Sequence, residues 1–292
     1  MLKYKNIIIF FSLCLLASCI SPAGRKEELT NDFQTLMPSF RELSIHRPIK
    51  ANAIFDGGGI KAIASVGALK AAEDNGFQFV RVAGTSSGSL VAALYAAGYT
   101  SEELLHILAT TDFMQFLRYK KPTPLYLFLH LSELKKDLGY YSTDLLYEWV
   151  KELLEAKNVR YFKDLKIPLR VVVADVLNRR RVVFSTENNP DMLVADALRY
   201  SMSIPIFFIP VNFNLEDTHQ QILLDGAIIE SYPVDIFSDE LNKSIPAFGF
   251  RLFDSEEEKC THQVKDISDY IGQIIKTATA YHEKKEVAEI KS

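Results

Sequence analysis

The chain has 292 residues, 48% of them hydrophobic, enough to bury a large α/β core as one domain or two small ones. With 33 basic and 37 acidic residues its formal net charge is −4, which argues against a general affinity for nucleic acid or for an anionic membrane surface. Cysteine is scarce: Cys14, Cys19 and Cys260 supply neither a zinc-type spacing nor an internal disulfide framework.

Residues 1–18 read as an export signal rather than as part of the fold. Lys3 and Lys5 form a basic start, and Ile7 to Leu16 is an apolar run of about ten residues, too short to span a bilayer. Leu16-Ala17-Ser18-Cys19 resembles the lipobox of bacterial lipoproteins, in which the cysteine becomes the lipidated first residue. The expectation is an exported bacterial lipoprotein, held to a membrane through Cys19. In a cell with two membranes that is the outer one, because Ile20 stands where an aspartate would favour inner-membrane retention. An ordinary secretory signal with a chance cysteine is the alternative. Residues 19–49 are polar and mixed and read as a tether, with a short helical piece over Asp32 to Leu43.

Ala51 to Phe55 reads as a buried strand. It runs into Asp56-Gly57-Gly58-Gly59-Ile60-Lys61, and a helix is predicted over Ala62 to Asn75, closed by Gly76. Consecutive glycines ahead of a helix leave backbone N–H groups unshielded, and such a nest binds an anion or an oxyanion.

Phe79 to Ala83 is a second strand, and a helical run over Leu90 to Ala97 follows closely. Between them lies G-x-S-x-G, with Ser86 at its centre and Gly84 and Gly88 on its flanks. A strand that turns this sharply into a helix lifts the central side chain out of the fold and aims the helix N-terminus at it. Ser86 is therefore a candidate nucleophile, and the glycine nest supplies the other half of an acyl-transfer site. A plain Gly/Ser turn without chemistry is the competing reading.

Thr100 and Glu103 form a capping box for a helix through Ala109. Residues 112–131 are rich in aromatic and aliphatic side chains around Pro122 and Pro124. They read either as a packed part of the core or as an apolar wall or lid suited to acyl chains. Ser142 or Thr143 caps a helix to Leu154, and Leu169 to Val176 is the next strand. Asn178-Arg179-Arg180 turns it back into Val182 to Ser185 as a hairpin, with Arg179, Arg180 and Arg181 expected to be a solvated turn. A helix is predicted over Asp191 to Met202, and strands over Phe207 to Phe213, Gln221 to Leu224 and Ala247 to Phe253. Asp225-Gly226-Ala227 lies between the last two. Asp266 to Ile290 shows helical spacing of Ile267, Ile271, Ile274, Ala278 and Tyr281. Strands alternating with helices predict an α/β fold, a mostly parallel sheet with helices on both faces.

Four blocks now stand in order: Asp56-Gly57-Gly58-Gly59-Ile60-Lys61, Gly84-Thr85-Ser86-Ser87-Gly88, Ser201-Met202-Ser203-Ile204-Pro205 and Asp225-Gly226-Ala227. Together they resemble the patatin-like phospholipases, over roughly residues 50 to 250. Ala62 and Tyr200 depart from the family pattern, which has a glycine and an alanine there. The resemblance implies a three-layer patatin-like fold and a serine acyl hydrolase that cleaves carboxylic esters of phospholipids or related lipids. It implies that Gly57, Gly58 and Gly59 form the oxyanion hole, that Ser86 attacks to give an acyl-enzyme, and that Asp225 is its base in a Ser-Asp dyad. It implies neither a metal nor an organic cofactor. The expected division is a signal peptide at 1–18, a tether at 19–49, the catalytic domain at 50–253, and a C-terminal helix at 254–292 packed on it.

Three rivals remain at this level. A Ser-His-Asp hydrolase would draw on His106, His130, His219, His262 or His282, none of which sits in a recognisable motif, and His219 precedes Asp225 against the usual chain order. A nucleotide-binding module would use Gly57-Gly58-Gly59-Ile60-Lys61-Ala62, but the second strand ends in Ala83-Gly84 without the acid that holds a ribose. A non-catalytic lipid-binding protein would have no need of the serine, the aspartate and the glycines together.

Overall fold

The computed structural model describes residues 48–117, 138–211, 221–238 and 245–252. The expected signal peptide with Cys19, the tether up to residue 47, most of the 112–131 segment and the helix over 266–290 lie outside the described residues, and β1 begins at Ile49, one residue inside the expected tether. In chain order the elements are β1 (Ile49–Phe55), α1 (Ala62–Asp74), β2 (Phe77–Thr85), α2 (Ser87–Ala97), α3 (Ser101–Thr110), β3 (Gly139–Tyr141) and α4 (Asp144–Ala156). Then come β4 (Leu169–Asp175), β5 (Arg180–Ser185), α5 (Val194–Ser201), β6 (Ile206–Phe208), β7 (Leu223–Asp225) and β8 (Ala247–Phe250).

The main sheet has the order β5-β4-β2-β1-β8, with β7 also on β4. β8, β1, β2 and β4 are parallel, while β5 and β7 run antiparallel to β4. β3 and β6 form a separate parallel pair. The fold is thus α/β around a mostly parallel sheet, as the alternation of strands and helices predicts. β1 is buried without a break from Ala51 to Phe55, the pattern of a central strand covered on both faces.

Register divides the core. Ala53 pairs with Val82, and Val82 with Leu169, so these side chains share one face. Buried residues from all five α-helices belong to the cluster on that face, among them Val66, Val91, Leu104, Val150 and Leu198. On the opposite face Ile54, Ala83 and Val172 pack against Tyr232, Ile236 and Phe237. The guanidinium groups of Arg81 and Arg170 lie over the Phe237 ring, 5.7 and 5.3 Å from its centroid. That segment follows the Asp225 turn, so the second face of the sheet anchors the chain just beyond it.

Several boundaries follow from particular contacts. The Thr100 box forms as expected, with Glu103 N–H donating to Thr100 Oγ1 at 3.1 Å and Thr100 N–H to Glu103 Oε2 at 2.8 Å. α5 starts at Val194 rather than Asp191, because Leu193 bridges to Tyr161 and the Val194 N–H is taken by Arg160 O. Of the strand expected over Phe207 to Phe213, the described residues, which end at 211, form strand only as Ile206–Phe208. In the 112–131 segment, Phe116 is buried and both Phe113 and Phe116 pack on Trp149, so its start belongs to the core. The arginine cluster is not merely a solvated turn. Arg181 pairs with Glu230 and Asp235, because the hairpin lies beside the segment after Asp225, and Arg180 pairs across the hairpin with the fully buried Asp175. Among the described residues no helix is long and apolar enough to cross a membrane.

Candidate active site

β2 and β7 share one edge of β4 and meet there end to end. β2 runs parallel to β4, and its last pair is Thr85 with Val172. β7 arrives from the opposite direction, and its last pair is Asp225 with Val173. Neighbouring residues of one strand thus face the carboxyl ends of two others. The residue after Thr85 is forced against Asp225, and Ser86 Oγ donates a 2.6 Å hydrogen bond to Asp225 Oδ2 across 139 positions of sequence. Gly226 is required at this junction, since a Cβ there would come within 2.5 Å of Val172 O and 2.9 Å of the Thr85 methyl.

Ser86 has φ 52 and ψ −129, in a region that L-residues rarely adopt, at a cost of about 1–3 kcal/mol. This lets the chain leave β2 and enter α2 within a single residue. The flanking glycines permit the crossing: a Cβ on Gly88 would sit 2.5 Å from Asp56 O, and one on Gly84 would strike the Gly88 backbone. Ser89 secures the turn by donating both its N–H (2.9 Å) and its hydroxyl (2.6 Å) to Ser86 O.

Asp225 is 4% exposed. Burial pushes its carboxyl up to about 6, against the Ser86 hydroxyl and the Ala227 N–H, which favour the anion. Its Oδ1 accepts from Ala227 N–H at 2.9 Å, so both oxygens are held. A carboxyl poised this far above its ordinary value can take a hydroxyl proton more readily than an exposed aspartate. His106, the one histidine among the described residues, is exposed on α3.

The glycine nest lies beside this pair. Gly57 N–H is already committed to Ser231 O at 3.1 Å. Gly58 N–H donates to Ser87 Oγ at 3.1 Å, an exposed contact that a ligand oxygen can replace. Gly59 N–H donates to no acceptor among the described residues, and Gly58 and Gly59 are both exposed. α2 begins at Ser87, so the N–H groups of Ser87 and Gly88 precede its first intrahelical bond, while Ser89 N–H already donates to Ser86 O. The nest is braced from behind. Buried Asp56 accepts from Ser231 Oγ at 2.6 Å and from Leu252 N–H at 3.1 Å.

A serine bonded to a buried carboxyl, beside free N–H donors at a helix N-terminus, can carry out acyl transfer. Among the described residues no cluster of His, Cys, Asp and Glu stands where it could hold a metal.

A family model described as patatin-like phospholipase matches residues 53–238. The chain belongs to the patatin-like phospholipase family. YqhO, described as an uncharacterized protein of Bacillus subtilis (strain 168), is 34% identical over 249 residues, covering 81% of this chain and 83% of its own. A probable lipid hydrolase, 463L, of Invertebrate iridescent virus 6 is 23% identical over 197 residues, covering 65% of this chain and 64% of that protein. Among solved structures, VipD from Legionella pneumophila is similar with a TM-score of 0.48 and 15% identity, over 73% of this chain. The chain spans about half the length of that structure, 52%.

All four patatin-like blocks converge on one place. The first and second carry the nest and Ser86, and the fourth carries Asp225. The third contributes Ser201, whose Oγ accepts from Ser86 N–H at 3.0 Å, and Ser203, whose carbonyl accepts from Asp225 N–H at 2.9 Å. Reading along the chain does not single out Ser201, Asp56 or Ser231 as individual residues. The signal for the first two lay in the third and first blocks, and Ser231 carries none because its partners are remote in sequence.

Proposed function

We propose that the protein is a serine acyl hydrolase that cleaves carboxylic ester bonds of phospholipids or related lipids through a Ser86–Asp225 dyad. One observation carries this reading within a patatin-like phospholipase: the 2.6 Å hydrogen bond from Ser86 Oγ to a buried Asp225. Asp225 takes the hydroxyl proton as Ser86 Oγ bonds to the ester carbon. The carbonyl oxygen becomes an oxyanion beside Gly58 and Gly59 and the start of α2, where each good donor is worth roughly 3–4 kcal/mol. As the tetrahedral intermediate collapses, the bond to the leaving oxygen breaks and Asp225 returns its proton to that alcohol. Water, deprotonated by the same carboxylate, then hydrolyses the acyl-enzyme and restores Ser86. In this scheme Gly57 contributes by holding the nest, since its own N–H is engaged with Ser231.

The reading extends to location: a lipoprotein exported through its signal and anchored by acyl groups on Cys19 would work at a membrane surface where its substrate resides. Multiple acyl chains on one cysteine anchor stably where a single chain does not.

The test is incubation of the wild-type protein and Ser86→Ala with a fluorophosphonate probe and with a short-chain nitrophenyl ester, then with dispersed phospholipid. Wild type should label at Ser86 and hydrolyse, and the variant should do neither while melting at a similar temperature. Labelling elsewhere, or an active Ser86→Ala, refutes the assignment.

A further inference from the structure

We propose that Ser201 is a positioning residue that replaces one rung of the β2–β4 ladder with its hydroxyl, and so sets the angle at which the nucleophile leaves the sheet. The inference rests on the reading of Ser86 as nucleophile and names a residue that holds it. In a parallel pair the next rung beyond Thr85–Val172 would run directly from Ser86 N–H to Val172 O. That bond is absent. Ser201 Oγ instead stands between them, accepting from Ser86 N–H at 3.0 Å and donating to Val172 O at 2.7 Å. A hydroxyl is one of the few side-chain groups that can serve here, because it accepts and donates at a single atom. Ser201 is fully buried at the end of α5, so water has no ready access to substitute.

The wedge has a geometric consequence. A direct rung would carry β2 on beside β4 to the position across from Val173, which Asp225 of β7 occupies. Spreading the two strands by one hydroxyl ends β2 at Thr85, turns Ser86 to its positive φ, and leaves the adjoining edge of β4 to Asp225. Two residues later the same segment fixes the other partner, since Ser203 O accepts from Asp225 N–H at 2.9 Å. One short stretch at the end of α5, Ser201 to Ser203, thereby sets both backbones of the pair. α5 itself is tied to α4 through Arg199, which donates to Thr143 Oγ1 at 2.6 Å and to Asp144.

The test compares wild type, Ser201→Ala, Ser201→Thr and a control that is destabilised far from the pair, Leu104→Ala. Ser201→Ala should lower kcat on a short-chain nitrophenyl ester by roughly 10- to 100-fold with KM within about twofold. It should slow fluorophosphonate labelling of Ser86 by a similar factor. Ser201→Thr, which keeps the hydroxyl, should recover most of kcat, and Leu104→Ala should lose melting temperature without losing kcat. Independently of activity, Ser201→Ala should speed amide exchange at Ser86 by at least about tenfold relative to Val82. Unchanged kcat in Ser201→Ala, an equal loss in Leu104→Ala, or an unchanged Ser86 exchange rate would overturn the proposal. A wild-type protein that neither labels nor hydrolyses would refute the function above, and the exchange measurement would still decide whether Ser201 holds the turn.

Discussion

Replacing Asp225 with asparagine removes a proton acceptor and a buried charge in one step, and the two losses have opposite consequences. The carboxyl is held at about 6 in the folded protein, chiefly by burial, against an ordinary value of 3.8. The folded state therefore binds this proton more tightly than the unfolded chain. The stability that results is fully present below 3.8, falls as pH rises, and is lost above about 6. At 1.36 kcal/mol per pH unit, keeping Asp225 ionised at pH 8 costs on the order of 3 kcal/mol. Asparagine resembles the protonated acid: its Oδ1 still accepts from Ala227 N–H, and its amide can donate to Ser86 Oγ. Asp225→Asn should thus melt higher than wild type at pH 8, by up to roughly 6–12 °C for a domain of this size, with the difference vanishing near pH 4. Turnover should fall by at least about 100-fold, since an amide accepts no proton. Calorimetry at the two pH values and steady-state hydrolysis of a nitrophenyl ester supply both readings. A melting shift that is the same at pH 4 and pH 8 would show that the carboxylate is not held against its own ionisation. Turnover within tenfold of wild type would show that it is not the base.

The same titration should appear in the enzyme's own pH dependence: under the proposed dyad, kcat/KM rises from the acid side with an apparent pKa of about 6, because the mechanism needs Asp225 ionised. A flat profile between pH 5 and 7 would contradict this. Gly226→Ala places a methyl within 2.5 Å of Val172 O, so it should cost about 1–3 kcal/mol of stability and most of the activity, by pushing Asp225 away from Ser86. Wild-type melting and turnover in that variant would refute the end-to-end packing of β2 and β7. Cys19→Ala should release the protein from cell membranes on fractionation and abolish metabolic labelling with a fatty acid; unlabelled wild type would rule out the anchor.

Much of this protein is written in short stretches of its sequence. The abrupt strand-to-helix turn at Ser86, the glycine nest after β1 and the Thr100 capping box each depend on a few neighbouring residues, whose backbone preferences act locally. The alternation of apolar strands and helices was likewise enough to predict a mostly parallel sheet. Asp225 was legible only as one member of an ordered set of motifs, since Asp-Gly by itself marks an ordinary turn. Other features had no local signature at all. Arg181 looks like part of a polar hairpin until Glu230 and Asp235 fold against it. Gly57 looks like a free donor until Ser231 arrives to take its N–H. Ser201 is one serine among many until α5 inserts it between two strands. The bond between Ser86 and Asp225 belongs to this second kind. It arises because two strands approach from opposite directions along one edge of β4 and stop at adjacent residues, a coincidence of lengths and directions that only the assembled sheet imposes.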